Sequence, residues 1–263
     1  MYLTDYHTHT ALSFDGQATL AQMAQAALDA GVDELCVTDH FDLLDEAGRA
    51  VSAYDWDKAL AQYWETLSLY QGKLTLKLGL ELGMPHVDPA AAQAIWAQPE
   101  ADFILGSVHN LSPERGGKDF YYEDLSDPAV CAAVLDDYFY SLQALARTDF
   151  YDVLAHIIYP LRYMTAQIRL DPWLDAVRAI LRTAVEKGRG IELNTCRGRT
   201  LTEWRPVLAL YREAGGEILT LGSDAHSPDA VGKGLREAQA LLKDMGFRYF
   251  CTYEKHTPHF HLL

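Results

Sequence analysis

Strand-like and helix-like segments alternate along the whole of this 263-residue chain. Short apolar runs predict seven strands, at residues 1–6, 34–38, 74–82, 102–108, 151–155, 190–194 and 217–222. Apolar residues at helical spacing predict helices at residues 19–30, 171–187, 201–214 and 229–245. Continuous alternation implies parallel strands, because each helix carries the chain back to the same end of the sheet. Seven such units favour an α/β barrel, and residues 248–263 predict a final short strand and a tail.

Helix-boundary signals support this pattern in the segment 171–187. Asp171 stands at an N-cap position, Pro172 fits the first helical turn, and Gly188 follows the last apolar residue. The sequence therefore predicts a helix that begins directly after Asp171.

The composition fits one large folded domain, predicted to cover residues 1–263. Hydrophobic residues make up 49% of the chain and charged residues 22%, so a large core is expected and disorder is not. No apolar run reaches the ~18 residues that span a bilayer, and the first residues lack a signal-peptide pattern. The four cysteines form no CxxC pair, which predicts free thiols and a reducing, cytoplasmic location.

The net charge of −15 argues against a nucleic-acid backbone as the main partner, because phosphate contacts need a basic face. If the substrate is nevertheless an anion, positive charge must be concentrated locally. The sequence does not determine the oligomeric state.

Histidines and carboxylates follow six of the seven predicted strands. In chain order they are His7, His9, Asp15, His40, Glu81, His109, His156, Asp224 and His226. Each of them alone is explained as a polar residue at a strand end. Together they use six of the ten histidines of the chain and fall on the strand ends that build the active site of α/β barrels. Their joint placement predicts one shared site.

This set of residues has the chemistry of a metal centre. Imidazole and carboxylate without thiolate suit zinc, iron or manganese. Nine ligands exceed the needs of one tetrahedral ion, so two or three divalent ions are expected, with Glu81 as a natural bridge through its two oxygens. Such a cluster would give an acidic protein a positive pocket that can activate water and hold phosphoryl oxygens.

The motifs that contain these residues resemble those of the PHP (polymerase and histidinol phosphatase) superfamily and, within it, the PHP-type histidinol-phosphate phosphatases. They appear in family order between residues 5 and 226, as DYHTHTALSFDG, VTDH, GLELG, GSVHN, LAHIIYPLRY, IELNT and SDAH. The resemblance implies a distorted (β/α)7 barrel with a trinuclear metal site at the carboxyl ends of the strands.

The resemblance also implies three ligand sets. The first metal would take His7, His9, Glu81 and Asp224, the second Glu81, His109 and His156, and the third Asp15, His40 and His226. Some members of the family have histidine at the position of Asp15. Asp224 is also a candidate catalytic group, since it or a metal-bound water could supply the proton that the leaving alcohol needs.

Arginines in two loops are the candidate phosphate ligands. Arg162 lies six residues after His156, and NTCRGRT places Arg197 and Arg199 after the sixth strand. Guanidinium is a good bidentate partner for a phosphate dianion. The resemblance favours Arg162 and Arg197, while the choice between Arg197 and Arg199 stays open.

The predicted function is that of a metal-dependent phosphomonoesterase which takes a small phosphate ester, L-histidinol phosphate, without a covalent phosphoenzyme. The segment after His109 has two interpretations: a lid in which Phe120, Tyr121 and Tyr122 stack on an imidazole and Glu123 or Asp124 meets an ammonium, or a surface loop with one apolar anchor. The alternatives are another small ester, a nucleotide or phosphotyrosine as substrate, or a metal-binding domain without catalysis.

Overall fold

Parallel strands form a nearly closed barrel in the computed structural model, which describes residues 2–51, 54–166, 168–199 and 203–263. The strands are β1 (Thr4–Asp5), β2 (Glu34–Val37), β3 (His40–Asp42), β4 (Thr75–Gly83), β5 (Phe103–Ser107), β6 (Val153–Leu154), β7 (Gly190–Asn194) and β8 (Leu219–Gly222). Their order around the barrel is β1-β2-β4-β5-β6-β7-β8, and β3 prolongs β2 by pairing with the later part of β4. This confirms the predicted (β/α)7 arrangement.

Hydrogen bonds between the ends of β1 and β8 close the barrel. The Tyr6 amide donates to the Leu221 carbonyl at 2.8 Å, and the Asp224 amide donates to the His7 carbonyl at 2.9 Å. The buried Asp5 carboxylate accepts from both the amide and the hydroxyl of Ser223, at 2.9 Å and 2.6 Å. These contacts fix the first and last strands at the point where each one leads into the predicted metal ligands.

In the described part of the chain, seven α-helices surround the barrel: α1 (Leu20–Ala30), α2 (Trp56–Tyr70), α3 (Pro89–Trp96), α4 (Pro128–Ala146), α5 (Leu174–Glu186), α6 (Trp204–Glu213) and α7 (Leu235–Asp244). Helix α1 shows why they form. Thr19 and Gln22 make a capping box at its start, Leu20 and Met23 are on its buried face, and Gly31 ends it in a left-handed conformation. Within the described residues, no helix is long and apolar enough to cross a membrane.

Two predicted helices begin later than expected, and the reason is local in each case. Asp171 and Pro172 belong to a separate 3₁₀ turn, so α5 starts at Leu174 without a side-chain cap. Helix α7 starts at Leu235 because Gly232 and Gly234 both have φ of 77°, which an α-helix does not permit. The predicted helix start at residues 201–202, like residue 1 of the first predicted strand, lies outside the described residues.

The carboxyl-terminal segment is an antiparallel hairpin of β9 (Tyr249–Glu254) and β10 (Thr257–Leu262), not a strand followed by a tail. It closes the end of the barrel where the strands begin. Cys251 and Tyr253 pack against Phe103, and the Tyr253 amide donates to the Tyr6 hydroxyl at 2.8 Å. At the turn, His256 Nδ1 contacts Asp152 Oδ2 at 2.8 Å. All four cysteines are buried free thiols, as predicted.

Removing the aromatic ring of Tyr253 should open a cavity inside the barrel, because this side chain is only 2% exposed. We expect Tyr253→Ala to lower the free energy of unfolding by about 3–5 kcal/mol in a urea titration. Phe260 lies on the same hairpin but is 48% exposed, and Phe260→Ala should cost less than about 1 kcal/mol. Equal losses in the two variants would contradict the packing of β9 into the barrel.

Candidate metal centre

The nine predicted ligands converge at the carboxyl ends of the strands, beside a cavity of about 640 Å³. His7, His9 and Asp15 follow β1, His40 begins β3, and Glu81 lies within β4. The others follow β5, β6 and β8, and are His109, His156, Asp224 and His226. Parallel strands bring these positions together because all their carboxyl ends face the same way. Among the described residues, four groups have ligand atoms that lie within 4.8 Å of one another, namely His7/His9/Asp224, His7/Glu81/His156, His9/His40/His226 and His40/Asp42/His109.

Glu81 lies at the centre of this set, and its two oxygens face different histidines. Oε1 is 2.8 Å from His156 Nε2 and 3.2 Å from His109 Nε2. Oε2 is 3.0 Å from His7 Nε2 and 3.1 Å from His40 Nδ1. A carboxylate placed in this way can bridge two cations.

The group predicted for the third metal is looser. His226 Nε2 lies 3.0 Å from Asp15 Oδ2, whereas His40 Nε2 is 3.8 Å from Asp15 Oδ1. Asp15 is also the most exposed member of the predicted set, with 41% of its side chain accessible. A second carboxylate, Asp42, approaches His40 Nδ1 to 3.8 Å and offers an alternative ligand on that side.

His9 provides the clearest test of whether these residues fit a metal. Its Nδ1 contacts the Ser13 hydroxyl at 3.2 Å, but its buried Nε2 has no hydrogen-bond partner among the described residues. The nearest carboxylate oxygens belong to Glu81 at 3.5 Å and Asp224 at 3.6 Å. Two ligand atoms about 2.1 Å from a tetrahedral zinc lie about 3.4 Å apart, so the space between these atoms fits a metal ion.

In the metal-free protein, His9 and Glu81 have the charge states that coordinate a cation. Burial, together with the neighbouring His40 and His226, holds the pKa of His9 well below its usual value, so its imidazole is neutral. Burial by itself would raise the pKa of Glu81, but His7, His40 and His109 outweigh it and hold this pKa well below its usual value. Neutral imidazole and ionised carboxylate are the forms that coordinate metals. Burial favours neutral rings for His7, His40 and His109 as well, but neighbouring carboxylates outweigh it and raise their pKa values, so a metal would have to displace their protons.

Two carboxylates outside the predicted ligand set orient the histidines. Glu192 on β7 accepts from His7 Nδ1 at 2.7 Å through Oε1, and from the His156 amide at 2.8 Å through Oε2. Asp42 accepts from His109 Nδ1 at 2.7 Å. With Nδ1 protonated in each ring, Nε2 is left free as the ligand atom. The sequence contained one indication of this role, because in the segment IELN Glu192 is a carboxylate inside an apolar predicted strand.

The three predicted arginines all line the cavity, in different environments. Arg162 ends a 3₁₀ turn (Tyr159–Arg162), has 4% of its side chain exposed, and donates to Asp224 Oδ2 at 2.6 Å. Arg197 and Arg199 are exposed at the rim, in a loop where Cys196 and Arg197 have positive φ angles. Arg199 contacts Cys196 Sγ at 3.3 Å, while the Arg197 guanidinium has no partner in the described part of the chain.

The segment after His109 agrees with one of its two interpretations better than with the other. Its Phe120 is buried against Tyr159, with ring centroids 5.5 Å apart. Glu123 and Asp124 do not line the cavity, and Asp124 instead accepts from the Ser126 hydroxyl in a surface turn. Asp119 and Tyr122 of the same segment face the cavity. This placement does not support the expected contact of Glu123 or Asp124 with an ammonium, which stays a prediction, and it fits the alternative of a surface loop with one apolar anchor.

Comparison with known proteins agrees with this geometry. The family model of the PHP domain matches residues 5–196. A probable histidinol-phosphatase of Deinococcus radiodurans is 29% identical over 94% of this chain and 95% of its own length. The histidinol-phosphatase of Lactococcus lactis is 24% identical over 95% of this chain and 93% of its own.

Among solved structures, the fold is similar to that of histidinol phosphate phosphatase from Lactococcus lactis, a crystal structure complexed with zinc, L-histidinol and phosphate. The TM-score is 0.84, with 22% sequence identity over 98% of both chains. This likeness shows that the whole described barrel, including its carboxyl-terminal hairpin, has a known fold.

Glu192 generates a prediction about metal affinity. Glu192→Gln keeps the shape of the side chain but removes the charge that orients His7, so we expect the metal dissociation constant to rise by about 10- to 100-fold. Competition with a chromogenic chelator measures this. Glu186→Gln, on the exposed end of α5, is the matched control and should bind metal like the wild type. Unchanged affinity in a folded Glu192→Gln variant would show that the contact with His7 does not matter for binding.

Proposed function

Because this chain belongs to the PHP domain family, we propose that it is a metal-dependent phosphomonoesterase that hydrolyses L-histidinol phosphate to L-histidinol and phosphate. One observation carries the proposal. Seven of the nine predicted ligands line one cavity together with the buried guanidinium of Arg162, and the other two, His7 and His9, lie against Glu81. The relatives that match nearly the full length of the chain are named histidinol-phosphatases, which supports this substrate.

The proposed centre holds two to three divalent ions of zinc, iron or manganese. His7, His9, Glu81 and Asp224 form the first ligand set, Glu81, His109 and His156 the second, and Asp15, His40 and His226 the third. When bound, such ions lower the pKa of coordinated water and neutralise charge on phosphoryl oxygens. A single domain over residues 1–263 and a cytoplasmic location stay predictions.

Arg162 is the proposed main phosphate ligand. It is buried, permanently charged and already held in place by Asp224 and by the ring of Tyr159, whose centroid is 5.2 Å from its guanidinium carbon. A positioned guanidinium stabilises the charge that develops on phosphoryl oxygens. Arg197 is proposed as the second ligand because its guanidinium is unpaired within the described residues, whereas Arg199 contacts Cys196.

Asp224 is the proposed catalytic carboxylate. Its Oδ1 faces His7 and His9, and its Oδ2 contacts Arg162, so it connects the metal ligands to the phosphate-binding arginine. In this position it can accept a proton from the attacking water and return it to the leaving alcohol. The water oxygen forms the new bond to phosphorus, the ester bond breaks, and no covalent phosphoenzyme is needed.

Substrate and metal requirements test the proposal in one preparation. We expect phosphate release from L-histidinol phosphate to exceed that from a panel of sugar, nucleotide and aryl monoesters, and elemental analysis to find about two to three transition-metal ions per chain. Removing the ions with a chelator should abolish turnover, and adding zinc or manganese should restore it. Preference for a nucleotide or phosphotyrosine would overturn the proposed substrate but would not contradict the proposed metal centre. Metal binding with no turnover of any ester would indicate a non-catalytic domain.

Arg162→Ala should slow all phosphate esters alike, because the phosphate group is common to them. We expect kcat/KM to fall by about 30- to 1000-fold for both histidinol phosphate and p-nitrophenyl phosphate. Arg169→Ala is the control, since Arg169 is exposed and paired with Asp171 outside the cavity. Metal content is measured in each variant because Arg162 also contacts Asp224. A fully metallated Arg162→Ala enzyme that slows only one ester would show that Arg162 reads another part of the substrate.

A further inference from the structure

The two sides of the cavity differ in charge: one carries the arginines of two loops, whereas the opposite side carries several carboxylates together with Arg49 and Lys58. The arginines lie in the loops after β6 and β7, whereas Asp42, Asp45 and Glu46 lie at and after the end of β3, across the barrel. The segment after β5 reaches towards this acidic side, since the Asp119 amide donates to the Glu46 carbonyl at 3.2 Å. An ester bound with its phosphate on the arginines would extend from a basic region towards an acidic one.

Asp119 is held in a fixed position within this acidic side. Its backbone forms a bridge with Asn110, the residue after His109, and the next amide, that of Phe120, donates to the His109 carbonyl at 3.3 Å. One carboxylate oxygen, Oδ1, accepts from the Tyr121 amide at 2.8 Å. Asp119 lines the same cavity as His109 and Glu81 without belonging to the proposed ligand set.

The Asp119 carboxylate forms no direct ion pair within the described residues, although His109 and His40 act on it from a greater distance. Asp45 differs, since it pairs with Arg49 at 2.7 Å, and Asp42 accepts from His109. Asp119 is half-buried, and burial raises its pKa despite the hydrogen bond from Tyr121. A partly desolvated carboxylate without a direct ion pair costs free energy, and a cationic ligand would offset that cost.

We propose that Asp119 is a specificity-determining residue that binds the protonated amine of an aminoalkyl phosphate ester. The inference rests on the proposed function and names the residue that selects its substrate. In histidinol phosphate the amine is on the carbon next to the ester methylene, so a phosphate held by Arg162 beside the metal ligands places the ammonium close to the centre. Asp119 is connected to this centre through His109, whereas Glu123 and Asp124 lie outside the cavity.

Asp119→Asn tests the inference while preserving the local fold, because asparagine can still accept from the Tyr121 amide. Three esters are compared: histidinol phosphate, its N-acetyl derivative, which lacks the positive amine, and p-nitrophenyl phosphate. We expect kcat/KM of Asp119→Asn to fall by about 10- to 100-fold for histidinol phosphate, and to stay within about twofold of the wild type for the other two. Glu123→Gln on the same segment is the matched control and should leave all three values unchanged.

Other outcomes overturn the inference, and metal analysis of each variant identifies the cause. If Asp119→Asn slows all three esters alike, Asp119 acts on the metal centre and not on the amine. An equal loss on the free and the N-acetylated amine would assign the contact to the imidazole. If the wild type hydrolyses histidinol phosphate and Asp119→Asn does so equally well, only this inference fails. A wild type without activity on histidinol phosphate overturns the proposed function as well.

Discussion

The site depends on one buried carboxylate among imidazoles. Glu81 is fully buried, and a ring nitrogen of each of five histidines lies within 3.5 Å of one of its carboxylate oxygens. These histidines come from different strands of the barrel or from the loops that follow them. An ionised carboxylate at such a place would be costly without positive charge around it. The histidines provide part of that charge, and bound cations would provide the rest. The barrel, its closure and the polar contacts around the site all serve to keep these groups together.

The surrounding polar groups determine which nitrogen of each ring faces the centre. Glu192 and Asp42 accept from His7 and His109, and the Ser13 hydroxyl, which donates to Asp39 at 2.7 Å, lies beside His9. Asp39 also accepts from the Thr10 amide at 2.6 Å and so fixes the loop that carries the first histidines. Because these contacts are buried, they persist with little competition from water. An acidic protein can in this way maintain a pocket whose function requires positive charge.

The two ends of the barrel have different tasks. At the end where the strands begin, the hairpin of β9 and β10 fills the interior with Cys251 and Tyr253. At the other end the loops leave a cavity with the metal-ligand candidates at its base, arginines on one side, and carboxylates with Arg49 and Lys58 on the other. The same strands run from one end of the barrel to the other. Apolar packing at the first end therefore fixes the strands and, through them, the polar side chains at the second end.

The sequence by itself determined the barrel and the residues around its centre. Strand and helix periodicity depends on neighbours along the chain, and parallel strands must place their carboxyl ends together, so the convergence of His7, His109 and Asp224 followed from their positions alone. The tertiary structure decided which side chains come within a few ångströms of one another. Glu192 meets His7 across 185 residues, Asp119 rather than Glu123 faces the cavity, and two glycines with positive φ delay α7. Side-chain direction and loop path depend on packing from distant segments, which local periodicity does not contain.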